Sequence, residues 1–117
     1  MSSIKEISAR IVKDSRNEDT VEAHIRLESG AIGVASVPSG KSKGVHEAAT
    51  VLPDKAVEII HNEIAEDLKG KNFLTQKAFD DELIALDGTE NKSRIGGNTT
   101  TALSAALARA NAAEFHI

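Results

Sequence analysis

The spacing of apolar residues changes once along this chain, and that change constrains the fold more than any other feature. Between residues 7 and 27 apolar side chains occupy alternate positions over two stretches, which is the pattern of strands with one face in water. From residue 57 onward they recur at intervals of three and four residues, which is the pattern of helices with one buried face. Strands that precede helices indicate an α+β fold.

The first half of the chain predicts three strands within about residues 4–37. Ser29-Gly30 is a turn signal that separates the second strand from the third. The connections between the strands are short, and short connections favour antiparallel neighbours. We therefore expect a three-stranded antiparallel β-meander. The alternating apolar residues are Ile7, Ala9 and Ile11, followed by Val21, Ala23, Ile25 and Leu27.

The second half predicts a helical subdomain. Pro53 fits the first turn of the first helix, since proline loses no hydrogen bond there. Thr75 is a candidate N-cap for the second helix, and Gly88 is a candidate for its end. The third helix is rich in alanine, so it can pack closely against its neighbours. The three predicted helices cover about residues 54–69, 75–87 and 98–113.

Composition limits the chain to one small domain, residues 1–117, with one modest core. The net charge of −4 argues against nucleic acid or an anionic membrane as a partner. No cysteine is present, which excludes disulfides and thiolate zinc sites. No apolar run reaches membrane-spanning length, and the N-terminus has no signal-peptide pattern. We expect a cytoplasmic domain.

Residues 35–42 match a relaxed P-loop pattern, with alanine in place of the first glycine. A P-loop binds phosphate through backbone N–H groups at the start of a helix. Pro38 removes one of those N–H groups, and Lys43-Gly44 would break a helix that began at Lys41. A P-loop-like phosphate binder is therefore the least favoured interpretation of this segment.

Three segments, taken in order, resemble the N-terminal domain of enolase, and the resemblance covers nearly the whole chain. They are Asp14-Ser15-Arg16 with Thr20-Val21-Glu22, Pro38-Ser39-Gly40-Lys41-Ser42-Lys43-Gly44-Val45-His46-Glu47-Ala48, and Asp87-Gly88-Thr89-Glu90-Asn91-Lys92-Ser93. The resemblance implies a β-meander followed by helices. It also implies a part in a Mg²⁺-dependent lyase of glycolysis, which converts 2-phosphoglycerate to phosphoenolpyruvate.

In this family the segment that matches residues 38–48 is a mobile loop that closes over the substrate. The resemblance implies that the Ser42 hydroxyl and carbonyl oxygens bind the second Mg²⁺, and oxygen ligands suit that hard cation. Gly40 and Gly44 would give the loop its hinge freedom. The predicted substrate-loop residues are Ser39, Gly40, Lys41, Ser42, Lys43, Gly44, His46 and Glu47.

The chain departs from the family pattern in three places. Lys41 and Lys43 stand where the family usually has alanine and threonine. About ten residues are missing between the loop and the first helix, judged against the loop lengths expected for the family. Asn17-Glu18-Asp19 replaces the usual Gly-Asn-Pro, so we expect Asn17 to adopt the left-handed conformation.

Other polar residues are predicted to be structural. We interpret the segment from Asp87 to Ser93 as a cap and turn, rather than as an acid–base pair of Asp87 and Glu90. The four histidines show no metal-ligand spacing, and His24 and His61 are expected in solvent.

The resemblance implies that the lysine base, the glutamate acid and the ligands of the first Mg²⁺ lie on a C-terminal barrel domain. A barrel of about 250 residues does not fit in this length, so we expect these 117 residues to lack it and to be inactive alone. Expected partners are that barrel, 2-phosphoglycerate and a second copy, with Arg10 and Glu22 at the dimer interface. The alternative is a stand-alone binding or scaffold module without catalysis.

Overall fold

The computed structural model describes residues 3–37, 51–73, 75–88 and 95–115. Strands β1 (Ile4–Lys13), β2 (Asp19–Leu27) and β3 (Ile32–Ser36) form one sheet in the order β1-β2-β3, and both pairings are antiparallel. The predicted three-stranded meander is therefore confirmed. Its alternation places a buried face, which includes Val21, Ala23 and Ile25, against the helices.

The turn between β1 and β2 depends on Asp14 and Asn17. Asn17 has φ 62°, the left-handed conformation that its sequence context predicts. The Asp14 carboxylate accepts hydrogen bonds from the backbone N–H groups of Arg16 (2.8 Å) and Glu18 (3.0 Å). An aspartate side chain that binds backbone N–H groups two residues on replaces part of a backbone turn, so this turn forms without glycine or proline.

The first helical rod differs from a regular helix. It consists of α1 (Pro53–Ile59), a π-helical turn (Ile60–Ile64) and α2 (Ala65–Leu68), which follow one another without a break. The buried side chains include the adjacent Ile59 and Ile60 together with Ile64. The wider i→i+5 spacing of a π turn brings Ile59 and Ile64 to the same side, which a 3.6-residue periodicity does not predict.

Two further helices complete the domain. Helix α3 (Gln76–Asp87) begins after Thr75, whose side chain accepts a hydrogen bond from the Ala78 N–H (3.0 Å). It ends at Gly88, in the left-handed conformation with φ 71°. Helix α4 (Gly97–Phe115) lies across β2 and β3. The fold class is therefore α+β, as predicted.

Helix α4 approaches β3 closely because Gly33 has no side chain. A Cβ atom at Gly33 would lie 1.8 Å from the carbonyl oxygen of Ala106 and 2.5 Å from the backbone nitrogen of Ala110. Both alanines are fully buried on the face of α4 that meets the sheet. Glycine on the strand and alanine on the helix thus set the distance between the two layers.

A helix side chain binds each outer strand of the sheet. The Nε2 atom of His61, in the π-helical turn, accepts a hydrogen bond from the Ala9 N–H of β1 (3.0 Å). On the other side, Arg109 of α4 donates from Nη1 to the Val34 carbonyl oxygen of β3 (2.7 Å). His61 is exposed, as predicted, and its ring is in addition bonded to the backbone.

Candidate functional site

The predicted substrate-loop residues lie outside the described residues. Ser39, Gly40, Lys41, Ser42, Lys43, Gly44, His46 and Glu47 all belong to segment 38–50. The candidate site is therefore built from the residues that flank this segment. We call Thr20, Val37, Val51 and Asn98 the loop frame, because they hold the two points at which the segment leaves and rejoins the domain.

Thr20 holds the start of the segment. The strand register pairs Glu22 with Ser36, so Val21, the neighbour of Thr20 on β2, corresponds to Val37, the residue that follows β3. The Thr20 hydroxyl donates to the Val37 carbonyl oxygen, and only 4% of Thr20 is exposed. A buried hydroxyl needs a hydrogen-bond partner, and here that requirement fixes the chain at the residue immediately before segment 38–50.

Asn98, in the first turn of α4, holds the end of the segment. Its Oδ1 accepts from the Val51 N–H (3.2 Å), and its Nδ2 donates to the Val51 carbonyl oxygen (3.0 Å). The backbone of Val51 offers one donor and one acceptor, so the paired bonds determine which way the side-chain amide of Asn98 faces. Gly96 leaves the necessary room, since a Cβ there would lie 2.7 Å from Asn98 Oδ1.

Asp87 organises the neighbouring connection between α3 and α4. Asp87 is 2% exposed, and its carboxylate accepts a hydrogen bond from the Ile95 N–H at 2.6 Å. A carboxylate bound to backbone in this way closes a loop on itself, which fits the structural role predicted for Asp87. Glu90, its suggested acid–base partner, lies outside the described residues.

The predicted interface residues contact each other within one chain. Arg10 of β1 donates from Nε to Glu22 Oε1 on β2 (2.8 Å), and His24 Nε2 lies 2.7 Å from the same oxygen. Burial raises the pKa of Glu22, but the bonds from Arg10 and His24 outweigh it and hold the pKa below the usual 4.5. His24, which is predicted to lie in solvent, is intermediate in burial, with 32% of its side chain exposed, and makes this contact.

Two further kinds of feature, a metal-binding cluster and a membrane-spanning helix, are absent from the residues that the structure describes. Within residues 3–37, 51–73, 75–88 and 95–115, no three histidine, aspartate or glutamate side chains converge to hold a metal ion. No helix in those same ranges has the length and apolar character needed to cross a membrane.

Sequence reasoning missed the loop frame. The sequence pattern assigns Thr20 only to a family segment and residue 98 only to the start of the third predicted helix. A signal was present in Gly96-Gly97-Asn98, because two glycines before a polar amide leave space for another segment to approach. Local pattern does not reveal that this segment is Val51.

Comparison with known proteins identifies the relatives of the chain. The family model of the enolase N-terminal domain matches residues 4–117. A protein named Enolase 2 from Pseudomonas syringae pv. syringae (strain B728a) is 43% identical over 125 residues. Enolase 2 from Pseudomonas syringae pv. tomato (strain ATCC BAA-871 / DC3000) is 42% identical over the same length.

The alignments cover very different shares of this chain and of its relatives. Both alignments include 97% of this chain but only 29% of each relative, so the chain spans less than a third of their length. The aligned length also exceeds the 117 residues of the chain. The relatives therefore carry residues without a counterpart here, in keeping with the shortening predicted from loop lengths.

Proposed function

We propose, from the premise that this chain belongs to the enolase family as an N-terminal domain, that it supplies the loop that closes over 2-phosphoglycerate in a Mg²⁺-dependent dehydratase. The match of the family model across residues 4–117 carries the proposal. The loop frame supports it, because a segment that must close over a ligand needs defined ends on a folded core. The reaction is the lyase step that gives phosphoenolpyruvate.

Ser42 is the one residue of this chain to which we assign metal binding. Its hydroxyl and carbonyl oxygens are hard donors of the type that Mg²⁺ accepts, with substrate oxygens completing the coordination. Bound Mg²⁺ would stabilise negative charge that develops on the substrate carboxylate. We assign Lys41 and Lys43 to attraction of the anionic substrate, since two added cationic side chains strengthen the local positive field.

The proton-transfer groups are assigned to a partner barrel domain. Proton abstraction needs a positioned base and acid in a site that excludes water, and we assign both groups to that barrel. A polypeptide of residues 1–117 alone should therefore show no dehydration of 2-phosphoglycerate above a buffer blank. The proposal also includes a homodimer and a cytoplasmic location.

A chimera tests the proposal. Residues 1–117 would replace the matching domain of Enolase 2 from Pseudomonas syringae pv. syringae, and phosphoenolpyruvate would be followed by absorbance with excess Mg²⁺. We expect turnover by the chimera and a loss of at least tenfold in Ser42→Ala. Ser36→Ala, at the exposed end of β3, is the matched control and should retain full activity.

Two outcomes would contradict the proposal. A folded but inactive chimera would favour the stand-alone binding module. An active chimera whose turnover does not change in Ser42→Ala would show that the loop has no part in the reaction.

The P-loop alternative is weakened by the sheet topology. The strand that leads into the P-loop pattern, β3, is antiparallel to β2, whereas a P-loop follows a strand of a βαβ unit. Tight ATP binding that Lys41→Ala abolishes would revive it.

A further inference from the structure

We propose that the groove between helices α3 and α4 is a docking site for an arginine side chain of a partner polypeptide. The groove has a volume of about 400 Å³, which is within the range of ligand sites in proteins. Its walls include Gln76, Asp80 and Ile84 of α3, and Thr101, Ser104 and Ala108 of α4. The inference does not rest on the proposed function.

The groove exists because α4 carries small side chains where it faces α3. Thr101, Ser104 and Ala108 recur at intervals of three and four residues, so they share one face of the helix. Larger side chains at these positions would fill the space. Ile84 is 46% exposed, and Thr101 and Ala108 are exposed as well. The groove is therefore open to solvent, and an open groove suits a side chain presented by another polypeptide.

The hydrogen bonds of Gln76 leave acceptors in the groove. Its Nε2 donates to Asp80 Oδ1 (3.2 Å), to the Ser104 carbonyl oxygen (3.0 Å) and to Ser104 Oγ (3.0 Å). The reversed amide would set Oε1 against a carboxylate and a carbonyl oxygen, so these contacts fix its orientation. Gln76 Oε1 and Asp80 Oδ2 make no hydrogen bond to any residue that the structure describes. Both oxygens remain available to a donor.

Asp80 gives the groove a negative charge without a counterion. It is the one charged side chain among the described residues that line the groove. Asp80 is half-buried and has no ion-pair partner in the described part of the chain, whereas the exposed Asp81 next to it pairs with Lys77 at 2.6 Å. Partial burial strengthens the attraction of a carboxylate for a cation. The complementary ligand group is therefore positively charged.

A guanidinium group matches these acceptors better than an ammonium group does. It carries five N–H donors in one plane and can bind a carboxylate through two parallel hydrogen bonds. Its remaining donors could bind Gln76 Oε1. Ile84 lies one helical turn from Asp80, so the methylene stem of an arginine could cover its exposed side chain. Charge and apolar contact together identify arginine.

The experiment is an NMR titration of residues 1–117 with the peptide acetyl-Ala-Arg-Ala-amide. The Gln76 side-chain amide is the reporter. We expect a dissociation constant of about 1 mM, since a partly exposed ion pair contributes little. The matched peptide has citrulline, which is similar in shape but uncharged, in place of arginine. It should bind at least about tenfold more weakly, because charge-assisted hydrogen bonds are the strong ones.

Two variants locate the site. Asp80→Asn should weaken binding of the arginine peptide about tenfold, because it removes the charge from the groove. Asp81→Asn is the matched control, since it makes the same change of charge on the exposed part of the same helix and should alter affinity by less than about twofold. Equal binding of the two peptides would overturn the proposal. Equal effects of the two variants would also overturn it, because the attraction would then be general.

Two further measurements test the occupant. Free butylguanidinium that binds where the arginine peptide does not would overturn the assignment to a polypeptide. The chimera should bind the arginine peptide as residues 1–117 do. Loss of binding in the chimera would overturn docking of a separate partner, because the barrel would then cover the groove. A chimera that binds the peptide but shows no turnover would refute the proposed function and leave this inference standing.

Discussion

Gly33→Ala tests whether glycine sets the spacing between the sheet and α4. The new Cβ would lie 1.8 Å from the Ala106 carbonyl oxygen and 2.5 Å from the Ala110 backbone nitrogen. Both contacts are with main-chain atoms, so no side-chain rotation relieves them. Helix α4 must move away from β3 instead, and that movement also lengthens the bond from Arg109 to the Val34 carbonyl.

The magnitude follows from two opposing effects. Overpacking a well-packed core costs about 1–3 kcal/mol, and the backbone contacts place this site in the upper part of that range. Replacing glycine restricts the unfolded chain and stabilises the fold by about 0.4–1 kcal/mol. The free energy of unfolding should therefore fall by about 2 kcal/mol. For a domain of this size, that fall lowers Tm by roughly 8 °C.

Urea and thermal unfolding of residues 1–117, followed by circular dichroism, give both quantities. Ser36→Ala is the control, since it changes an exposed residue of the same strand and should alter stability by less than about 0.5 kcal/mol. Wild-type or greater stability in Gly33→Ala would refute the reasoning, because it would mean that α4 does not approach β3 as closely as described.

Two further predictions concern the outer face of the sheet. The pKa of Glu22 lies below its usual 4.5 in the folded chain, so Glu22 stabilises the fold above that pH and stops doing so as the pH falls through the lowered folded value. Glu22→Gln should therefore make the free energy of unfolding fall less steeply in urea titrations between about pH 5 and pH 2. An unchanged dependence of that free energy on pH would contradict this. Arg10 and Glu22 bind each other in one chain, so light scattering should show residues 1–117 as a monomer, whereas a tight dimer that survives Arg10→Ala and Glu22→Ala would place the interface elsewhere.

Local signals in the sequence were sufficient for the strands, for the existence of the helical half and for the ends of α3. Alternation predicted the strands, and the periodicity of three and four predicted the helical half. Thr75 and Gly88 were recognised because caps and left-handed ends depend on residues within one turn. Asn17 was recognised for the same reason, since its conformation is decided by its immediate neighbours.

Contacts between distant residues were beyond the sequence patterns. The bonds from His61 to β1 and from Asn98 to Val51 join positions 52 and 47 residues apart, and no periodicity encodes such a pair. The sequence patterns do not predict the π-helical turn, because that turn allows Ile59 and Ile60 to be buried together. Their burial is determined by packing in the core and not by local helix propensity. Gly33 did carry a signal, since glycine inside a strand marks a close backbone approach.

The bonds that cover the sheet edges have a consequence for the synthesis of the chain. All three strands are complete at Ser36, whereas the side chains that bind the outer strands arrive at His61 and Arg109. A ribosome releases the N-terminal part first, so the nascent sheet has two open edges, which are templates for pairing with another chain. The bond to β1 becomes possible about midway through this domain, and the bond to β3 only near its end. Nascent chains that stall before Arg109 should therefore be the aggregation-prone species.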